Sequence, residues 1–155
     1  MNYNEILSNN NLKITNNIIY KTGKNNKNRP ICNNDILQHL VLKYQDNDGI
    51  LSTEDDYMFG CCLQTLIKIV LNNAKFRYQD EIIRSDIRTE AYCDILTALK
   101  NKLFDQNKGK AYSYCFRLAY VAGIHILQQY NIIREHETEL DDNMANEIDE
   151  DLWQN

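Results

Sequence analysis

The stretch STEDDYMFGCCLQTLIKIVLNN, residues 52–73, decides the fold. Ser52 and Thr53 each have an Asp three residues on (Asp55, Asp56), a weaker form of the capping box, and early acids suit the positive end of a helix. Met58, Phe59, Cys62, Leu63, Leu66, Ile67, Val70 and Leu71 then give a broad apolar face at helical spacing, and Asn72-Asn73 ends it. Upstream, Asn34 is a candidate N-cap for Ile36, Leu37, Leu40, Val41 and Tyr44, a helix that stops at residues 46–49. Downstream, a third helix is predicted over about residues 79–103. After a turn at 105–109, a fourth follows over about 110–133. No stretch alternates with period two for long enough to predict a strand, and the chain has one proline and five glycines. The expectation is all-α: a compact bundle of about four helices with short connections.

The ends differ from this body. Residues 1–32 read as a flexible, basic, Asn-rich leader, with an apolar patch at 14–20 followed by Lys21, Lys24, Lys27 and Arg29. Residues 33–134 form the helical domain. Residues 135–155 form an acidic tail with nine acids, no Lys or Arg, and a terminal Leu152-Trp153. The whole chain of 155 residues has a net charge of -5. Setting the tail aside leaves 13 of the 22 acids against all 17 bases, so the body is mildly basic: either it is suited to nucleic acid or it is an ordinary domain with a solvated acidic tail.

Several classes are excluded. No apolar run reaches the roughly 20 residues needed to span a bilayer. The start MNYNEILSNNNLK lacks the pattern of a signal peptide, so a cytoplasmic location is expected. Five cysteines without a CxxC pair argue against a disulfide framework and a zinc site. Gly23-Lys24 lacks the flanking residues of a phosphate-binding loop. His39, His125 and His136 have no nucleophile or carboxylate at motif spacing, so neither an enzyme nor a cofactor is expected.

Two helices keep a face to spare. On the third, Ile87, Ala91, Ile95 and Ala98 form one stripe and Tyr92, Leu96, Leu99 and Leu103 a neighbouring one; both can face the bundle. The remaining arc carries Asp86, Glu90, Asp94, Thr97 and Asn101, a narrow acidic strip that is either solvated or a dock for a basic partner. On the fourth, Cys115, Ala119, Ala122 and Ile126 form a small-residue core stripe. Its other arc holds Ser113, Arg117, Tyr120, Ile124 and Gln128. Around its start Lys108, Lys110, Tyr112, Tyr114 and Phe116 interleave cations with aromatics. Cations neutralise phosphates; rings at helical spacing either pack in the core or stack unpaired bases at roughly 1–3 kcal/mol each.

The run RYQDEIIRSDIRTEAYCDILTALKNKLFDQNKGKAYSYCFRLAYVAGIHIL, residues 77–127, resembles the second conserved region of bacterial sigma factors. It looks most like the small late-transcription sigma factors of tailed phages. The resemblance lies in an acid-rich helix start at residues 84–90, then Phe104-Asp105, Lys108-Gly109, the triplet Tyr112-Ser113-Tyr114 and Ala122. With the upstream helices it covers residues 33–134. The chain departs from the family in about two extra residues between Leu99 and Phe104. It also lacks tryptophans in the fourth helix, where Arg117 is the one strong cation near the aromatics.

The resemblance implies a sigma-like initiation factor, monomeric when free, in a bacterial host cell. Asp86, Glu90, Asp94 and Thr97 would dock on the clamp helices of the RNA polymerase β′ subunit. Tyr112, Tyr114, Phe116 and Tyr120 would hold bases flipped out of an AT-rich phage promoter element, with Lys108, Lys110, Arg117 and Gln128 on the DNA beside them. The same family ends in a short acidic-hydrophobic peptide that docks on a sliding clamp, a role that Leu152 and Trp153 would fill. From the residues alone, that tail can equally pack back on the body or mimic DNA and block it. The alternative for the whole chain is a helical phage structural or adaptor protein that acts through self-assembly.

Overall fold

The computed structural model describes residues 1–22 and 29–152, with the backbone path alone over 139–152. In chain order the elements are α1 (Tyr3–Asn9), β1 (Leu12–Thr15), β2 (Ile18–Lys21), β3 (Arg29–Pro30), α2 (Asn34–Asp46), α3 (Thr53–Leu71), α4 (Glu81–Lys100) and α5 (Ala111–Leu152). The three strands form one antiparallel sheet in the order β1-β2-β3. The chain is therefore mostly helical but not all-α, which corrects the sequence expectation.

α3 is the centre of the bundle, and its ends fall where the sequence puts them. Ser52 is the N-cap, its hydroxyl accepting from the Asp55 amide, and Asn72 is the C-cap. Every member of its predicted apolar face is buried. Removing each such Leu, Ile, Met or Phe side chain from water stabilises the fold by about 1.5–3 kcal/mol. α2 begins one residue earlier than expected, because Asn33, not Asn34, caps it by accepting from the Asp35 and Ile36 amides. Gln45 near its end is buried; its side chain donates to the Phe104 carbonyl and accepts from the Phe104 amide, both at 3.1 Å. That pair of bonds ties α2 to the loop between α4 and α5.

The described parts of the leader, residues 1–22 and 29–32, belong to the same core, which corrects the expectation of flexibility for them; Lys24 and Lys27 lie outside the described residues. Tyr3, Leu7 and Ile19 are buried with the helices. The Ile19 amide donates to Thr65 Oγ1 of α3 at 2.9 Å, while that hydroxyl donates to the Cys61 carbonyl at 2.6 Å. Tyr3 donates its hydroxyl to Asp55, which also takes bonds from Lys43 at 2.5 Å and Ser52 at 2.7 Å. Together these donors, Lys43 foremost, hold the Asp55 carboxyl well below the usual carboxylate range.

α4 and α5 form an antiparallel hairpin. Phe76, fully buried, wedges between α3, α4 and α5. A Cβ on Gly123 would lie 2.8 Å from its ring and 3.3 Å from Ile87 Cγ2, so the glycine lets α5 approach closely. The stripes Ile87, Ala91, Ile95, Ala98 and Cys115, Ala119, Ala122, Ile126 are all buried, as predicted. Leu103 is not: α4 stops at Lys100, Lys102 takes a φ of 55°, and Leu103 is left 63 % exposed. α5 does not stop at residue 133 either. It continues as one helix through the acidic segment to Leu152.

Candidate nucleic-acid interface

α5 starts without a conventional cap of its own, since Gly109-Lys110 precedes Ala111. α2 supplies the missing acceptors. The Ala111 amide donates to Gln38 Oε1 at 3.4 Å and the Tyr112 amide to Asn34 Oδ1 at 3.3 Å. Asn34, predicted as a cap for its own helix, thus helps cap another.

From that start, Tyr112, Phe116 and Tyr120 repeat every four residues and stand one above the next. The centroids of Tyr112 and Phe116 are 5.9 Å apart at 28°, and those of Phe116 and Tyr120 are 6.4 Å apart at 15°. All three are half-buried, so the ladder is neither sealed in the core nor loose in solvent. Tyr120 at its far end rests against Phe76 at 5.3 Å and 70°, edge to face. Burial raises the Tyr112 phenol above its ordinary value.

The other predicted contacts divide. Tyr114 is two residues, or 200°, from Tyr112 and packs against Phe104 at 5.4 Å, so the structure does not bring it to the ladder. Lys108 and Lys110 border a hollow shared with His39 and Asp35, where Lys108 lies 3.7 Å from the Asp105 carboxylate. Lys110 also lines a groove beside Tyr112 and Ser113. Arg117 and Gln128 are exposed. Gln128 lies sixteen residues, about 24 Å, along the helix from Tyr112, too far to share one base with it.

The acidic strip on α4 is open. Asp86, Glu90 and Thr97 are exposed and Asp94 is half-buried, and their spacing puts all four on one arc. Among the described residues, Asp86 alone of the four is engaged by the protein's own chain: it accepts the Tyr130 hydroxyl of α5 at 2.6 Å, which raises the Tyr130 phenol. Tyr130 lies five turns beyond Tyr112 on the same face of α5. The first acid of the strip therefore borders the face that carries the ring ladder. Of the tail pair, Leu152 has only its backbone described, at the end of α5, and Trp153 lies outside the described residues.

Sequence reasoning read Lys21 and Arg29 only as part of a basic leader and did not single out Lys13 and Lys68; Lys21 and Arg29 border the groove that Tyr112 lines, and Lys13 and Lys68 the adjoining one. The signal that could have found them is the Asn16-Asn17 pair between apolar residues, a two-residue hairpin turn with φ of 50° and 59°. Among the described residues, no group of three or more His, Cys, Asp or Glu could hold a metal ion. No helix of the described residues is long and apolar enough to cross a membrane. Compared with protein-family models, with curated proteins and with solved structures, the chain matches none.

Proposed function

We propose that this protein is a sigma-like transcription initiation factor: it docks on RNA polymerase core through the α4 strip and captures unpaired bases of an AT-rich promoter element on α5. The observation that carries this reading is the stacked, half-exposed ladder Tyr112, Phe116, Tyr120 on the helix that packs beside an open acidic strip. Stacking is tolerant of sequence, and Tyr112, the end of the ladder backed by Phe116 alone, holds a base with little further loss of freedom. AT-rich duplex is cheap to unstack, so captured bases bias the promoter towards the open form. The strip supplies orientation: acids at positions 86, 90 and 94 present about 12 Å of negative edge to a cationic partner helix. No bond is made or broken.

Run-off transcription with purified core enzyme on an AT-rich promoter library tests this. Glu90→Lys should abolish accurate initiation and co-elution with core while the melting temperature is unchanged. Phe116→Ala should keep co-elution and lose opening. A Glu90→Lys protein that initiates normally removes the strip from the mechanism.

A second reading has its own observation. Ile132 and Ile133 are 53 % and 51 % exposed where α5 leaves the bundle, which favours an adaptor that self-assembles along this helix. Gel filtration separates the two: an adaptor forms oligomers alone, whereas the sigma-like factor runs as a monomer and co-elutes with polymerase.

A further inference from the structure

The N-terminal sheet places cations together that nothing in the helical bundle requires. Lys21 on β2 stands directly opposite Arg29 on β3. Like charges facing each other across strands destabilise a sheet, so the pair calls for a compensating anion. In the neighbouring register Lys13 faces Tyr20, which in turn faces Pro30. Lys68 of α3 reaches over to donate to the Tyr20 hydroxyl at 3.0 Å, with its ammonium 5.4 Å from the ring centroid.

Two grooves run through this region. The larger, about 810 Å³, has Lys21, Arg29 and Lys110 on its walls, with Tyr112 at the foot of the ring ladder. The smaller, about 420 Å³, has Lys13, Lys68 and Tyr20. They share Pro30 and Asn72 as walls, so they adjoin side by side as two parts of one trough. Among the described residues no carboxylate lines either groove, and none of the five cations forms an ion pair. In a protein whose acids outnumber its bases, 22 to 17, five clustered bases with no acid are not the outcome of average composition.

We propose that the sheet is a phosphate track: Lys13, Lys21, Arg29, Lys68 and Lys110 hold the backbone of a single DNA strand whose bases enter the Tyr112–Phe116–Tyr120 ladder. This rests on the strand capture proposed above and extends it to residues of the first thirty. A single strand is favoured over a duplex because the trough leads directly onto Tyr112, where only unpaired bases can stack. The cations provide affinity without sequence preference, and the rings decide which strand state is accepted.

Fluorescence anisotropy of the full chain with a labelled oligothymidylate of about twelve bases tests the track. Each phosphate contact on a single strand contributes about 0.7 to the slope of log affinity against log salt. Lys21→Gln with Arg29→Gln should therefore lower that slope by about 1.4 and weaken binding about 25-fold at 0.1 M salt. Removing the facing charges should leave the melting temperature equal or higher, a change opposite in direction to damage of the fold. Lys13→Gln, on the exposed side of β1, should lower the slope by about 0.7 without touching that pair. Unchanged affinity and slope in these variants overturns the track. So does equal competition by blunt duplex or by inorganic tripolyphosphate, which would mark a site for any compact polyanion. Lys21→Gln with Arg29→Gln should still co-elute with polymerase core. Loss of polymerase co-elution with strand binding intact thus reports on docking alone, and the reverse result reports on the track alone.

Discussion

Gly123→Ala turns the close approach of α5 to Phe76 into a measurable overlap. In an open helix interior, Ala is favoured over Gly by about 1 kcal/mol. Here the new methyl would sit 2.8 Å from Cε1 and Cζ of Phe76 and 3.3 Å from Ile87 Cγ2. Carbon pairs prefer about 3.5–4.0 Å, so the ring must retreat by at least about 0.7 Å. It has nowhere to go: Phe76 is fully buried, and its edge meets Tyr120 at 5.3 Å. Overpacking of this kind costs about 1–3 kcal/mol, which exceeds or cancels the propensity gain. Because the obstacle is a packed ring and not a flexible chain end, the upper half of that range applies, for a net loss of about 1–2 kcal/mol. Thermal unfolding should show a melting temperature lower by a few degrees, at about 2–4 °C per kcal/mol for a chain of this size. Gly60 in α3 is the internal control, since a Cβ there meets nothing within 4 Å. Gly60→Ala should raise the melting temperature through propensity alone. Adding Phe76→Leu to Gly123→Ala should recover part of the loss, a coupling of about 1 kcal/mol between touching residues. A Gly123→Ala protein as stable as Gly60→Ala would refute the wedge, and with it the account of how Tyr120 is held.

Two further outcomes are expected. Asp55 is held ionised by Lys43, Tyr3 and Ser52, so its contribution is full above the ordinary carboxylate value of 3.8 and is lost as pH falls below it. Asp55→Asn should cost about 1–3 kcal/mol at neutral pH, tempered because Lys43 is 40 % exposed and can rehydrate, and should flatten the stability loss seen below about pH 4. The measurement is denaturant unfolding across pH, and an unaltered acid limb would refute it. Thiol titration should find one fast group, Cys93, because Cys32, Cys61, Cys62 and Cys115 are buried and burial pushes the Cys115 thiol up to about 12. All five should react once the chain is unfolded, and more than one fast thiol in the folded state contradicts the packing.

The helices were legible because each carries its own signal. Ser52 and Asn72 bracket α3, and the buried stripes of α4 and α5 repeat at helical spacing. The sheet was not, because its strands are only two to four residues long, too short for the alternation of Leu12, Lys13, Ile14 and Thr15 to stand out. Its order comes from contacts made at long range, such as Ile19 with Thr65 and Tyr3 with Asp55, which no local pattern announces. The ladder was half legible. Four-residue spacing places Tyr112, Phe116 and Tyr120 together, and the same geometry turns Tyr114 away towards Phe104. The Asp86–Tyr130 bond was hidden, since it depends on how far α5 runs past the start of α4.

The continuity of α5 has a mechanical consequence. A helix of 42 residues is about 63 Å long, and about 33 Å of it extends beyond Tyr130, which donates to Asp86 of α4. Such a boom fixes azimuth as well as reach. Whatever grips its acidic end is set at one angle to the stacked rings, and a single inserted residue would swing that end by 100°. Seven inserted residues would restore the angle to within about 20° and move the end outward by about 10 Å, so phase and distance can be varied separately.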